Sequence, residues 1–331
     1  MLWIHIGMPK TGTTALQGFL HSNPDFLASH GIRYLASGRD RGTGVGQLIC
    51  HNAMAVDMSR NWSHTPESQP QAFRAEYDRH RDEHCILSSE MFFGRDLSSL
   101  YERVIAPMQT EVTILVYLRR FDDFIEADYK QRAKNGRLIG GQVDAFVRER
   151  IERIETDPEY LNFGTLFDRI RDTIPDVRIL PRLYLQEEMT GGNVITDVMS
   201  VLGVPPDTVP LPETNANRSL SRLASEAIGL FDPTLGFDKK RRRRLARALQ
   251  AMEDPRLFRR NDVLTASERK SICDLLEKRN ADMRKMFFPG RRKLFPTSGR
   301  KPTGPERGHP DELAEFQYVM QAALRVISEG R

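Results

Sequence analysis

The chain has 331 residues, 39 % of them apolar, which is enough for one large α/β domain or two small ones with a filled core. Its mean hydropathy is negative and no apolar run approaches the roughly twenty residues of a membrane span, so no transmembrane segment is expected. The formal net charge is only +4, from 49 Lys+Arg against 45 Asp+Glu; this excludes a general polycation and makes the clustering of charge more informative than its total.

The first residues, MLWIHI, have neither the basic stretch nor the length of a signal peptide, and a cytoplasmic location is expected. Residues 2 to 6 read as a strand. They run into IGMPKTGTT, where Gly7 and Pro9 break the apolar run, and then into the helical pattern of 13 to 22. Strand, glycine-containing loop and helix make an anion site, because the first amides of a helix point outwards without partners. In the nucleotide-triphosphatase pattern G-x-x-x-x-G-K-[ST], lysine follows the second glycine. Here Thr13 follows Gly12 and the lysine is Lys10, so that motif fails. What remains is a nest of amides from Lys10 to Thr14, with the hydroxyls of Thr11, Thr13 and Thr14, around one compact anion.

Further strands are predicted at 85 to 89 (CILSS), 112 to 118 (VTILVYL) and 177 to 180 (VRIL), alternating with helices at 122 to 134, 143 to 155, 163 to 173 and 191 to 202. Alternation of this kind gives a parallel sheet with crossover helices, and the unbroken apolar character of VTILVYL suits a strand buried on both faces. Past a proline-rich connector the chain turns helical, at 219 to 230, 238 to 252 and 266 to 286, with no second independent core evident. The expected organisation is an α/β domain over 1 to 295, a flexible linker over 296 to 309 and a C-terminal helix within 310 to 331. That isolated amphipathic helix could pack on a neighbouring subunit, making a homo-oligomer. Cys50, Cys85 and Cys273 show no C-x-x-C spacing and read as reduced thiols, with neither a zinc site nor a disulfide framework.

The stretch PKTGTTALQGFLHSNPDFLASHGIRY resembles the phosphosulfate loop and first helix of the sulfotransferases that use 3′-phosphoadenosine 5′-phosphosulfate (PAPS), most closely those acting on heparan sulfate and their bacterial relatives. The resemblance implies a P-loop-like parallel sheet flanked by helices, the sulfotransferase fold, with a helical C-terminal part. It implies PAPS as donor, 3′,5′-ADP as product and no metal. Lys10 would bridge the phosphate and the transferring sulfuryl group, and Pro9, Gly12, Thr11, Thr13 and Thr14 would form the loop that holds the 5′-phosphate. In the family an arginine ending a strand and a serine eight residues on bind the 3′-phosphate. Arg119 matches the arginine and Arg120 adjoins it, but Ala127 stands in the serine position, with Lys130 and Arg132 nearby on the same helix.

Transfer to an acceptor hydroxyl needs a proton acceptor across from Lys10. Glu90, just after CILSS, resembles the glutamate base of glycan O-sulfotransferases, which an aromatic such as Phe92 or Phe93 follows; the other reading is an acid at a helix N-terminus behind Ser88 or Ser89. His51 in LICHNAMAV is the second candidate base, since a histidine near its ordinary pKa accepts a proton at neutral pH. His5, inside a strand, reads as structural. Arg182, Asn217 and Ser219 resemble late family elements that close over the nucleotide or cap helices. The run Lys239 to Arg244, KKRRRR, reads as a solvated helix face or as a strip for an anionic polymer or acidic membrane; nucleic acid is not expected, for want of interleaved aromatics. The acceptor would be a carbohydrate or small metabolite. Two other functions fit less of the sequence: a P-loop kinase, which needs a lysine after Gly12, and a non-catalytic binder of anionic glycans.

Overall fold

A computed structural model describes residues 1–39, 49–59, 68–138, 142–212, 219–296, 303 and 307–329. In chain order its main elements are β1 (Leu2–Ile6), α1 (Thr13–Ser22), α2 (Pro24–Ser29), β2 (Ile32–Tyr34), α3 (Asn52–Ser59), α4 (Ser68–Arg79), β3 (His84–Ser89), β4 (Val112–Leu118), α5 (Phe121–Lys134), α6 (Val143–Thr156), α7 (Phe163–Thr173), β5 (Arg178–Leu183) and α8 (Val194–Val201). These are followed by α9 (Arg222–Leu230), α10 (Lys239–Gln250), α11 (Ala266–Arg279), α12 (Ala281–Phe287) and α13 (Asp311–Ser328). The chain divides into two compact units. One comprises Met1–Arg119 with Phe163–Pro212, the other Arg120–Asn162 with Glu213–Arg331.

The first unit holds a five-stranded sheet in the order β2-β3-β1-β4-β5, with every pair parallel and helices flanking it, as the alternating pattern predicts. The four predicted strands are all present. The fifth, β2, is only three residues, too short to give a periodic signal. All residues of β1 and β4 are buried, which is why their sequences are continuously apolar rather than alternating. The sheet face carrying Trp3, Ile86 and Leu115 packs on Leu16 and Phe19 of α1 and on Val198 of α8. Helix α8 starts three residues later than its sequence pattern predicts, because the Asn193 side chain caps it by accepting from the Thr196 amide at 2.9 Å.

One buried carboxylate fixes α8 to the sheet. Asp197 is fully buried and accepts from Arg182 Nε and a second Arg182 nitrogen at 2.5 and 2.7 Å, from the Tyr117 hydroxyl at 2.5 Å and from the Thr190 amide at 2.8 Å. Burial alone would raise its pKa, but the hydrogen bonds from Arg182 and Tyr117 hold it below the ordinary carboxylate range. Arg182, expected near a nucleotide or a helix cap, is thus committed to this clamp. Of the other late residues named with it, Asn217 lies outside the described residues, and Ser219 is exposed.

Only helices and turns occur among the described residues of the second unit, and they enclose a core that includes Leu220, Ile228, Leu245, Leu249 and Val319. Gly229 lets α9 approach α5, since a Cβ there would meet the Ala133 carbonyl oxygen at 2.2 Å. The helix predicted over 266 to 286 is two helices separated at Asn280, whose buried side-chain amide donates to the Leu161 and Leu276 carbonyls at 2.9 Å each. The apolar face of α13 is covered within its own unit: Val319, Ala323 and Val326 are buried with residues of α9 and α10, so that face is not left for a neighbouring subunit. Most of the segment 296 to 309 lies outside the described residues; within it, Arg307 pairs with Glu268 at 2.7 Å and Asp144 at 3.0 Å. Among the described residues no helix is long and apolar enough to cross a membrane, and no group of three His, Cys, Asp or Glu could hold a metal ion.

Candidate phosphate site

The strand order places β1 between β3 and β4, with the connections running to opposite sides of it, and in parallel sheets ligands collect beyond the strand ends at such a reversal. The loop after β1 occupies this position. Lys10 has φ of 71° and Gly12 φ of 75°, two left-handed residues that turn the chain sharply into α1. Gly12 is the N-cap of α1 and brings no side chain to it. The Ala15 and Leu16 amides donate to the Gly12 carbonyl at 3.0 and 3.1 Å, which leaves the Thr13 and Thr14 amides without an acceptor among the described residues. Glycine is required at position 12 on two counts, its positive φ and the 2.9 Å that would separate a Cβ from Val194 Cγ1.

The three threonines have different surroundings. Thr11 is fully buried and its hydroxyl donates to the Met8 carbonyl at 2.7 Å, so its proton holds the loop in shape. Thr14 is exposed at the start of α1. Thr13 is 3 % exposed, yet its Oγ1 has no hydrogen-bond partner among the described residues, an arrangement that costs free energy unless something else supplies the partner. Gly7 makes room for it, since a Cβ at position 7 would lie 2.5 Å from Thr13 Oγ1. Gly7→Ala should accordingly displace the Thr13 side chain; if the loop holds the nucleotide that the sequence resemblance implies, its affinity for 3′,5′-ADP in isothermal titration should fall about tenfold, the cost of one charge-assisted hydrogen bond, and an unchanged affinity would remove Thr13 from the site.

Arg119 is the first residue after β4. It donates one guanidinium bond to the Lys10 carbonyl, its amide lies 3.3 Å from Met8 Sδ, and its guanidinium carbon is 6.0 Å from the centre of the Tyr184 ring. The sequence-predicted pair of Lys10 and Arg119 is thereby brought to one place, next to the positive end of the α1 dipole. Pro9, which precedes Lys10 in the loop, is half-buried. Arg120 belongs to the other unit, where it is buried and donates to both oxygens of the fully buried Asp122, at 3.1 and 2.9 Å. Contrary to its placement beside Arg119 in the phosphate reading, it is half of an internal ion pair that Arg269 also joins. Lys130 and Arg132 are likewise engaged, by Asp262 at 2.6 Å and Asp128 at 3.0 Å.

Glu90 follows Ser89, which pairs in register with Ile6, so it emerges at the same sheet edge as the loop after β1. It opens a short turn, Glu90–Phe92, capped by Ser89, whose Oγ accepts from the Met91 amide at 3.0 Å. The Glu90 side chain is half-exposed and has no ion pair or hydrogen bond among the described residues. The reading as an acid in the first turn of a capped helix is the one these contacts describe.

His51 does not meet the expectation of a near-neutral base. It is fully buried, and burial, followed by the charge of Arg39, pushes its pKa down to about 3. Its work is structural. Strand β2 pairs with β3 only as far as Tyr34 and Ile86; beyond that point the His51 amide donates to the Ser88 carbonyl at 2.9 Å and its Nδ1 accepts from the Ser88 amide at 3.2 Å, completing the ladder that β2 leaves open. His5 is a second buried imidazole, bonded through Nδ1 to Ser88 Oγ at 2.8 Å and pushed by burial to about 4. Gln17 donates to the same hydroxyl at 3.2 Å. The sequence does carry a signal for this network, in a polar serine inside an apolar strand and a glutamine on the buried side of α1, but it points to no particular partner.

Both imidazoles are neutral in the fold and regain a pKa near 6.5 when unfolded. The stability they contribute is therefore fully present above about pH 6.5 and declines as the pH falls towards 4. Between pH 7.5 and 5 each should lose on the order of 2 kcal/mol. Urea unfolding across that range measures the loss, and His5→Asn should flatten the dependence; a stability independent of pH over this interval would contradict the assignment of two buried neutral rings.

The fold and the loop define an α/β protein with a parallel sheet flanked by helices, in which a strand-loop-helix turn follows β1 and its lysine stands outside the nucleotide-triphosphatase position. No family model matches the chain. It is 22 % identical over 204 residues to an uncharacterized protein of Archaeoglobus fulgidus, an alignment covering 61 % of this chain and 53 % of that protein, so the chain spans about half the length of the relative it matches. A sulfotransferase crystal structure from Alicyclobacillus acidocaldarius aligns with 73 % of this chain and 98 % of its own at 19 % identity, with a TM-score of 0.36. A likeness this distant carries no argument about function, which rests instead on the residues of the loop.

Proposed function

We propose that the protein is a PAPS-dependent sulfotransferase, moving a sulfuryl group to a hydroxyl, or less favourably an amine, of a carbohydrate or small metabolite. The observation that carries this reading is the buried, unpartnered Thr13 Oγ1 beside the uncapped amides of α1, which suits a phosphate oxygen. Lys10, held in a left-handed conformation, adds an ammonium group to the same loop. A non-glycine residue in that region costs on the order of 1 kcal/mol, and such strain is common where a side chain is aimed for chemistry.

The donor supplies an activated sulfuryl group on a phosphate leaving group. In the transfer the bond between sulfur and the phosphate oxygen breaks, and a bond from sulfur to the acceptor oxygen forms. Glu90 takes the acceptor proton as that bond forms. Lys10 balances the charge that develops on the departing phosphate oxygen. The α1 amides with Thr13 and Thr14 hold the 5′-phosphate, and Arg119, whose guanidinium also donates to the Lys10 carbonyl, holds the 3′-phosphate. With Ala127 in place of a serine and Lys130, Arg132 and Arg120 paired to carboxylates, Arg119 carries the 3′-phosphate in this account without those side chains.

Thermal unfolding in the presence of 3′,5′-ADP, ATP or AMP tests the reading. The expected result is a rise in Tm with 3′,5′-ADP that exceeds the rise with either other nucleotide and is reduced in Arg119→Ala. An equal response to all three would reject the donor, and a response to ATP only with magnesium would favour a kinase.

A further inference from the structure

Helix α10 carries a charge distribution that the fold does not use. Lys239, Lys240, Arg243, Arg244 and Arg247 are all exposed, and their spacing of one and four residues sets them along one side of the helix as a stripe of about 12 Å. Leu245 and Leu249, on the other side, are buried in the core of the second unit. None of the five cations forms an ion pair with a carboxylate among the described residues. The acids at this end of the helix have other work: Asp238 caps α10 by accepting from the Arg241 amide at 2.8 Å, and Asp232 accepts from the Thr234 and Leu235 amides. Lys239 and Lys240, moreover, stand in the first turn of α10, where cations oppose the helix dipole.

A second feature lies against the start of this stripe. Leu235 is 62 % exposed in the turn that precedes α10, and Arg241 ties that turn to the helix by donating to the Gly236 carbonyl at 2.8 Å. The aromatic rings nearby face inwards: Phe231 and Phe237 pack against each other at 5.0 Å, and Arg241 lies over Phe237. The surface therefore offers a row of cations and an aliphatic side chain, with no free ring among the described residues of this turn and helix on which a base could stack.

We infer that this end of α10 docks the protein on an anionic lipid surface, with Leu235 entering the interface and the five cations lying over acidic headgroups. Each element matches what a bilayer supplies, since a negatively charged surface attracts basic residues within a Debye length and the acyl boundary removes an aliphatic side chain from water. A polyanion in solution would use the cations but gain nothing from Leu235. The inference does not depend on the reaction proposed above.

Co-sedimentation of the full chain with vesicles tests it, using phosphatidylcholine alone and phosphatidylcholine with a third replaced by phosphatidylglycerol. The expected result is binding to the anionic vesicles only, weakened by salt, lowered at least about tenfold when the five cations are changed to glutamine, and lowered several-fold by Leu235→Ser, which leaves every charge in place. The five cations are exposed and outside the core, and far-UV circular dichroism checks that the variant folds. No binding to anionic vesicles, equal binding to neutral ones, or retention on heparin or duplex DNA without vesicle binding would overturn the inference.

Discussion

Lys10→Ala should lower the rate of sulfuryl loss from PAPS by about a hundred- to a thousandfold, the usual cost of removing one charge-stabilising group from a leaving oxygen. Transfer to water shows the effect without an assigned acceptor, and radiolabelled PAPS provides the readout. Binding of 3′,5′-ADP should fall much less, by no more than about tenfold, because the product lacks the group whose departure Lys10 assists. The contrast separates a catalytic lysine from a general anion contact. Lys10→Gly adds a second check. It removes the same ammonium group but relieves a φ of 71°, so it should be as inactive as the alanine variant yet more stable than it, by about 1 kcal/mol in urea unfolding. Equal loss of rate and affinity in Lys10→Ala would assign the residue to binding alone.

Asp197→Ala should cost about 3–5 kcal/mol of stability, the range for breaking a buried ion pair from one side. The change leaves the Arg182 guanidinium, the buried Tyr117 hydroxyl and the Thr190 amide without their common acceptor. Part of the cost should be visible at the phosphate loop, because Val194 on the same helix packs against Gly12. Thermal unfolding measures the first effect, as a fall in Tm on the order of 10 °C, and 3′,5′-ADP titration the second. A loss below about 1 kcal/mol would mean that water replaces the carboxylate and that the clamp is not what holds α8.

The strands show why some of this architecture is legible in sequence. Residues of β1 and β4 are buried on both faces, so their apolar runs are unbroken and their limits, 2 to 6 and 112 to 118, can be read directly. Strand β2 has three residues and leaves part of its task to His51, an arrangement in which a side chain completes a backbone ladder and which no periodicity encodes. Helices α3 and α4 were not predicted, since the first has little amphipathic contrast and the second is mostly polar.

Within the site, the loop from Pro9 to Thr14 is contiguous, and so its phosphate-binding character is visible in the sequence. The roles of its threonines are not, because only the three-dimensional loop shows that Thr11 turns inward to Met8 while Thr13 is buried with no side-chain partner among the described residues. Arg119 and Arg120 make the same point. As neighbours in sequence they read as one basic pair, but the end of β4 sends the first to the loop and the second to Asp122. His51 departs from the near-neutral pKa expected of it for a reason that composition cannot supply: its ring is fully buried, so the neutral form is favoured far below physiological pH.

A crystal structure of the protein with 3′,5′-ADP is the most direct test of the central claim. The account predicts the 5′-phosphate against the amides of Thr13 and Thr14 with Thr13 Oγ1 as a partner, and the 3′-phosphate on Arg119. Nucleotide bound elsewhere, or a loop that stays empty at saturating 3′,5′-ADP, would contradict it.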